Sequence, residues 1–596
     1  MWNNVLWLDS GASIGEKFNV ELMTNEAGLR LMKWQGYYLQ SPYNPTKEAE
    51  RIVDANYQTG HLHILFGIGA GHIANSLVER LTEEDQLLII EPSKNLFERG
   101  QVEGCFDFVS DHPRIKIIVG FEPKAIEEVI INLVVGMYFG KTKVIESPNY
   151  NKIFLREIKQ LYELIRDASR LVLININTSN LFAKQWHENH FYNLCQAWET
   201  IPFGRYLNRF TCPVIIVASG PSLSKQLDTL KTITTNALII CAGSSINPLL
   251  RAGIKPHLIV TIDGGDNNFH HFENLQIDDI PLAYSLNVHK GIPRMHQGLQ
   301  IVFNCNEQNL SEWVSEIIGE DLGYVIGGPS VANYCFDVAR QVSSGPICFI
   351  GQDLAYTNNA THAAGNKNTR KVTDNEIESS SKYIYAEGYF GDRVLTDHVF
   401  LGMRRSFELQ IKKLKKEGDL RAVINATEGG LNITGALNNT FSQFIKDYCQ
   451  EDFTGELAVL QRGVKGDYGM KVRIQKSLRC QVPELQEAAK YAKRALAVLG
   501  GISKDNSTVD TNVLKKLDKI DAQIQKTMDN NLLHYVFLPT LLKINYFFKE
   551  TNNETEVDRN KRILGKSEAL YGAILSAATY TLELLEKVLL EEEDSQ

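Results

Sequence analysis

Residues 214–263, VIIVASGPSLSKQLDTLKTITTNALIICAGSSINPLLRAGIKPHLIVTID, constrain the fold of this chain more than any other stretch. They read as strand, glycine turn, helix, strand, short helix, strand. Residues 214–217 form a short β-branched run, the pattern of a strand buried on both faces. Ala218-Ser219-Gly220-Pro221-Ser222 breaks that run. Gly220 lets the backbone approach a ligand closely, and Pro221 suits the first turn of a helix. A second apolar run, 237–241, ends in Ala242-Gly243-Ser244-Ser245, and a third, 258–262, ends in Asp263-Gly264-Gly265. Three strands thus end in small or acidic residues on one expected edge of a parallel sheet, the edge where open α/β sheets bind ligands. A glycine turn opening a helix favours phosphate, because unpaired N–H groups and the helix dipole point at it.

With 596 residues, the chain has room for three or four domains. A net charge of -9 argues against a broad nucleic-acid-binding surface. The nine cysteines are scattered, odd in number and never spaced as Cys-x-x-Cys, which fits reduced thiols in a cytosol and offers no zinc site. The N-terminus has no basic leader pattern, and no apolar run reaches membrane-spanning length. A soluble, cytoplasmic protein is expected.

The expected organisation has four parts: a Rossmann-like N-terminal domain over 1–168, a helical connector over 169–212, a central α/β domain over 213–450, and a C-terminal helical bundle over 451–596. Within the first, HLHILFGIGAGHIANSLVERLTEEDQLLIIEPS reads as a strand at 61–66, a glycine turn at 67–71, a helix at 73–81 and a strand at 87–90 ending in Glu91. A glycine turn followed by an acid at the end of the next strand resembles the S-adenosylmethionine site of Rossmann-like methyltransferases, where such a carboxylate binds ribose hydroxyls; the pattern is common, no recognisable substrate site follows it, and its first reading is a structural Rossmann-like unit. Helices are expected at 122–135 and 151–168. In the connector, Trp186, His190, Asn193 and Leu194 share a helical face, which reads as packing. His187 and His190 lack the further ligands of a metal site.

The central domain continues with strands at 281–286, 299–303 and 346–350. A second glycine turn, Gly327-Gly328-Pro329-Ser330, opens a helix at 331–342. The strand at 346–350 ends in Gly351-Gln352-Asp353, followed by a polar loop with Tyr356, Thr361 and His362. A long loop at the C-terminal end of a buried strand points to function. A hairpin near 382–395, a helix at 397–416 and a strand at 421–425 that runs into Ala426-Thr427-Glu428-Gly429-Gly430 complete the domain. Beyond 452, glycine becomes sparse and helices are expected at 484–499, 509–528, 532–548 and 555–592.

The spaced set SGPSL at 219–223, GIKPHLIVTID at 253–263, GGPSVA at 327–332, GQDLAYTNNATHAAG at 351–365 and NATEGGLNITGA at 425–436 resembles the motility-associated factor (Maf) family of bacterial flagellin glycosyltransferases. That family's central domain is similar to bacterial sialyltransferases. The resemblance implies transfer of a nonulosonic acid, of the pseudaminic or legionaminic type, from a CMP-sugar to Ser or Thr of flagellin. It implies no obligatory cofactor or metal, and it leaves homo-oligomerisation open.

On that reading, Ser219, Gly220, Pro221 and Ser222 hold the phosphate, with Gly243, Ser244 and Ser245 at the neighbouring strand end. Gly328, Ser330, Gln352, Asp353, Asn425 and Thr427 complete the donor contacts. Asp353 has an alternative reading as a turn former. No Asp-x-Asp occurs in the chain, so the metal-bridged diphosphate site of many glycosyltransferases is absent. Tyr356, Ser222 or backbone amides would stabilise the departing phosphate. His362 is the expected base, with Asp263 and Glu428 as alternatives. Asp263 is also suited to ribose or sugar hydroxyls. Two rivals stand beside this reading. One is a pterin pyrophosphokinase that uses Asp263 and Asp353 as magnesium ligands for ATP; the other is a non-catalytic flagellin-binding chaperone.

Overall fold

The computed structural model describes residues 2–8, 20–133, 138, 140–305, 308–461, 466–502, 511–528, 531–548 and 554–594. The expected helix segments at 134–135 and 509–510 lie outside these. The chain divides into two compact units: 1–181 with 499–510 and 538–570, and 182–498 with 511–537 and 571–596. The helices beyond 451 are thus shared between the units.

The first unit holds five parallel strands, β1 (Val5–Trp7), β2 (Leu62–Phe66), β3 (Gln86–Glu91), β4 (Ile115–Val119) and β5 (Thr142–Glu146), in the order β1-β4-β3-β2-β5. β2 is buried along its whole length, as a strand covered on both faces must be. A separate antiparallel sheet, Val20–Thr24, Arg30–Trp34 and Tyr37–Tyr38, supplies the small β unit near the N-terminus. The helix Pro45–Asn56 starts with Pro at its first turn and is capped by Asn44, whose side chain accepts from the Lys47 amide.

α1 (Leu155–Gln196) runs for 42 residues, through the position where the sequence pattern ended a helix at Ala168. Neither Gly nor Pro interrupts it. Its C-terminal part, from Phe182 on, belongs to the second unit.

The second unit is built on nine parallel strands: β6 (Ile201–Pro202), β7 (Val214–Val217), β8 (Leu238–Ala242), β9 (Leu258–Thr261), β10 (Leu282–Ser285), β11 (Gln300–Phe303), β12 (Ile347–Ile350), β13 (Val423–Asn425) and β14 (Leu437–Asn438). Their order is β14-β13-β12-β7-β8-β9-β10-β11-β6. β6 lies in the segment read as a connector and forms one edge of this sheet. β7, β8, β9 and β12 are buried at every residue, and their side chains join α3 (Val331–Val342) and α4 (His398–Lys416) in one core. The chain builds outward from β7 through β8, β9, β10 and β11, then crosses to the other side of β7 to add β12. The β7–β12 boundary is therefore the topological switch point, the crevice where open parallel sheets take ligands.

Among the described residues, no helix is long and apolar enough to cross a membrane. All nine cysteines are free thiols.

His187 and His190 lie buried on α1, with His187 Nε2 2.9 Å from Thr581 Oγ1. Burial lowers both pKa values to about 3. Each is neutral in the folded protein and titrates near 6.5 when unfolded, so its contribution to stability is full above pH 6.5 and is lost as pH falls from there toward 3. At pH 5 the loss is about 2 kcal/mol for each histidine. Urea midpoints measured from pH 7 to pH 5 should fall steeply, and His190→Phe should flatten that slope.

Candidate functional site

The switch point contains a cavity of about 200 Å³. Strand ends and a helix start supply most of its lining: Ala218, Ser219 and Gly220 after β7; Ala242 and Ser244 at the end of β8; Gly351 to Ala355 after β12; and Ser330, Val331 and Ala332 at the start of α3. Thr361 and His362 close it from the long loop, and Phe400 and Met403 from α4. Three of the five expected sequence blocks contribute wall residues: those at 219–223, 327–332 and 351–365.

The turn after β7 departs from the sequence expectation. Pro221 opens a short 3₁₀ helix, Pro221–Lys225, in place of an α-helix. Its Ser222 amide and hydroxyl both donate to Asp353, the amide at 3.2 Å and the hydroxyl at 2.6 Å to Oδ2. Thr357 Oγ1 donates to the other carboxylate oxygen at 2.6 Å. Asp353 is only 1% exposed, and burial raises its pKa while these hydrogen bonds pull it down. A Cβ on Gly220 would overlap this carboxylate, so glycine is required by the close approach. The anion that the Ser222 amide and hydroxyl meet at this turn is thus the protein's own carboxylate.

The first turn of α3 is different. Its leading N–H groups have no intrahelical partner, and Val331 and Ala332 face the cavity. Asn333 Oδ1 accepts from both the amide and the hydroxyl of Ser330, which fixes the turn. Gly328 is a packing glycine: a Cβ there would overlap Ser406. Gln352 also lines the cavity. It is 5% exposed, and its Oε1 is buried without a hydrogen-bond partner. A buried acceptor left unpaired costs about 1–3 kcal/mol, which a ligand O–H or N–H in the cavity would recover.

His362 is partly buried, its Nδ1 without a partner. Burial lowers its pKa and the Asn368 carbonyl raises it. The neighbouring Ala363 amide donates to Ser219 O at 2.8 Å, pinning this part of the loop to the β7 turn. Ser219 Oγ and Ser244 Oγ are 2.9 Å apart.

The other expected residues are placed as follows. Asp263 is exposed at the end of β9 and accepts from the Gly265 amide. Gly243 and Ser245 lie in the turn after β8, where Ser245 is fully buried. Asn425 and Thr427 are buried, and Thr427 Oγ1 accepts from the Gln352 amide. Tyr356 is buried and donates to Asp397 Oδ2 at 2.7 Å, which raises its pKa together with burial. Glu428, in left-handed backbone at φ 54°, accepts from the Phe441 amide. Tyr356 and Glu428 are outside the cavity wall, and their hydrogen bonds are structural. Among the described residues, no three His, Cys, Asp or Glu side chains are grouped to hold a metal. The sequence reading missed Asn366, which is buried behind His362, and Phe400 and Met403 in the wall.

The first unit has its own switch point between β2 and β5, with the glycine turn at its mouth. Tyr150 fills it. A Cβ on Gly67 would overlap the Tyr150 ring, and Tyr150 Oη accepts from the Gly69 amide at 3.1 Å and donates to Glu91 Oε2 at 2.6 Å. Glu91 also accepts from the Ile68 and Ser93 amides. Burial raises the Glu91 pKa to about 7 against these hydrogen bonds. The carboxylate that resembled a ribose ligand is thus engaged by its own chain.

The fold and cavity define a two-unit α/β protein with a crevice at the switch point of the nine-stranded sheet. The family described as 6-hydroxymethylpterin diphosphokinase MptE-like matches residues 188–359, from the second half of α1 into the His362 loop. The structure is similar to a Maf glycosyltransferase from Magnetospirillum magneticum AMB-1, with a TM-score of 0.60 and 15% identity, covering 97% of this chain and 95% of that one. At this identity the likeness speaks for the fold. No curated protein matches the sequence.

Proposed function

We propose that this chain is a glycosyltransferase that moves a nonulosonic acid of the pseudaminic or legionaminic type from a CMP-activated donor to Ser or Thr of flagellin. The observation that carries the reading is the switch-point cavity, where the first turn of α3, the unpartnered Gln352 Oε1 and His362 converge. The Maf-like motifs and the likeness in fold to a glycosyltransferase support the substrate class. At about 200 Å³ the cavity is smaller than the roughly 300–1,000 Å³ of whole-ligand pockets, so it encloses one polar group of the donor. The donor's phosphate fits the first turn of α3, and the rest of the donor lies toward Ser244 and Asp263. The acceptor oxygen bonds to the anomeric carbon as the bond from that carbon to the phosphate oxygen breaks. The hydroxyl proton passes to His362, and CMP leaves with the bonding electron pair, its charge held by the amides of α3, while Gln352 Oε1 accepts from a hydroxyl of the donor. The nine free thiols fit a cytoplasmic setting.

Intact-mass analysis of flagellin incubated with the protein and a CMP-nonulosonic acid tests this reading. Flagellin should gain the mass of one or more sugar residues. The family match favours a second reading, diphosphate transfer from ATP to a hydroxymethylpterin. An ATP-plus-pterin arm that yields the pterin diphosphate, with unmodified flagellin in the other arm, supports that reading. Flagellin captured without mass change in either arm supports the chaperone.

Calorimetric titration tests the donor site. CMP should bind equally with and without EDTA, and Gln352→Ala should weaken it about 5-fold, the loss of one neutral hydrogen bond of about 1 kcal/mol from a ligand hydroxyl to Oε1. Binding that vanishes with chelator favours the diphosphokinase.

A further inference from the structure

We propose that Asn366 is the positioning residue that holds His362 over the cavity. This role rests on the reading of His362 as the base. The loop that carries His362 is long and polar, and in the structure it is tied down at specific points. Asn366 is at their centre, only 6% exposed. Its Nδ2 donates to Ser244 O at 2.8 Å, which joins the loop to the turn after β8. Its Oδ1 accepts from the Asn368 amide at 2.8 Å. Its backbone amide donates to Ala363 O, and its carbonyl accepts from Thr369 Oγ1 at 3.0 Å. Thr369 Oγ1 is also 2.7 Å from Ala363 O.

Ala363 follows His362 directly, and its amide is bonded to Ser219 O. The chain from 363 to 369 is therefore a closed knot whose outward tie to the β8 turn is the Asn366 side chain. On the far side, Lys367 Nζ donates to the carbonyls of His270 and Glu273, and Asn368 Nδ2 lies 3.3 Å from His271 Nε2. Asn368 also faces back toward His362: its carbonyl accepts from Thr361 Oγ1 at 3.2 Å and from the His362 ring, so the bond from the Asn368 amide to Asn366 Oδ1 bears on His362 as well.

A base must be within hydrogen-bond reach of its proton, and a misplacement of about 1 Å costs on the order of 10²-fold in rate. Asn366 acts on that distance through the loop and has no place in the cavity wall. Two variants separate positioning from packing. Asn366→Ala removes both side-chain bonds. Asn366→Asp keeps the shape and the acceptor for the Asn368 amide, but it cannot donate to Ser244 O and sets a carboxylate against that carbonyl.

The experiment uses the full chain. His362 is carbethoxylated with diethyl pyrocarbonate, and its rate of modification is followed by peptide mass spectrometry beside turnover and CMP titration. Both variants should modify His362 about 10-fold faster than wild type, the opening expected from one lost buried hydrogen bond. Turnover should fall about 10²-fold while CMP affinity holds. Folded variants with wild-type His362 reactivity overturn the proposal, as does an Asp variant that behaves like wild type while the Ala variant does not. Faster His362 modification in both variants, with no transferase activity even in wild type, upholds the positioning role and overturns the reading of the reaction.

Discussion

Replacing His362 with alanine should lower turnover about 10²–10⁴-fold and leave CMP affinity nearly unchanged. The size is that of a general base removed from the transition state, and the selectivity follows from position. His362 closes the cavity from the long loop, while the donor's phosphate is assigned to the first turn of α3. A group that acts as the acceptor's proton is lost contributes to the rate and little to ground-state binding. The acid limb of the rate profile should report this group: burial holds the His362 pKa below 6.5, so the ring is neutral and able to accept a proton at pH 7. The comparison is steady-state turnover at saturating donor and flagellin for wild type and His362→Ala, with CMP titrated into both. Near wild-type turnover in the variant would move the base to Asp263, which is exposed at the same sheet edge. Glu428 is a weaker substitute, because its Oε1 is held by the Phe441 amide.

The parallel sheets were legible because their strands are buried on both faces. Val214–Val217, Leu238–Ala242 and Leu258–Thr261 are nearly unbroken apolar runs, each ended by a glycine or acidic turn. The helix Val331–Val342 was legible to the residue because a glycine turn ending in Ser330 precedes it, and the Ser330 amide and hydroxyl donate to Asn333 Oδ1. Where local signals failed, the structure differs. Ile201–Pro202 is too short for any periodicity, and only pairing with β11 makes it a strand. The helix Tyr468–Gly500 runs through Pro483, where the sequence pattern began a new helix.

The site was legible as a set of strand-end turns and illegible in its hydrogen bonding. Ser222 and Tyr356 look like donors for a ligand, but their acceptors, Asp353 and Asp397, are 131 and 41 residues away. No local pattern records which polar group a hydroxyl meets. Asn366 was passed over for the same reason: its partner Ser244 lies 122 residues earlier in the chain.

Asp353→Ala should be among the most destabilising single changes in the second unit, and Asp353→Asn should be mild. The carboxylate accepts from the Ser222 amide, the Ser222 hydroxyl and the Thr357 hydroxyl, all at a site 1% exposed. Alanine leaves these donors unpaired in the interior, at about 1–3 kcal/mol for each that water cannot reach. The sum is several kcal/mol, a large part of the roughly 5–15 kcal/mol that holds a domain folded. Asparagine keeps the shape and one acceptor oxygen for Ser222, and the Thr357 hydroxyl can rotate to accept from the new amide, so the expected loss is about 1 kcal/mol. Burial already raises the Asp353 pKa, so neutralising the group removes a desolvation cost that offsets part of that loss. Denaturant unfolding of the full chain compares the two variants, with CMP titrated into each. The diphosphokinase reading makes the opposite prediction for asparagine. If Asp353 is a magnesium ligand, Asp353→Asn should abolish magnesium-dependent ATP binding while the fold stays intact. An Asn variant that keeps CMP binding and loses only slight stability, beside an Ala variant that unfolds at much lower denaturant, identifies Asp353 as the internal anion of the β7 turn. Equal losses in both variants would mean that the charge itself, rather than its hydrogen bonds to Ser222 and Thr357, is what the turn requires.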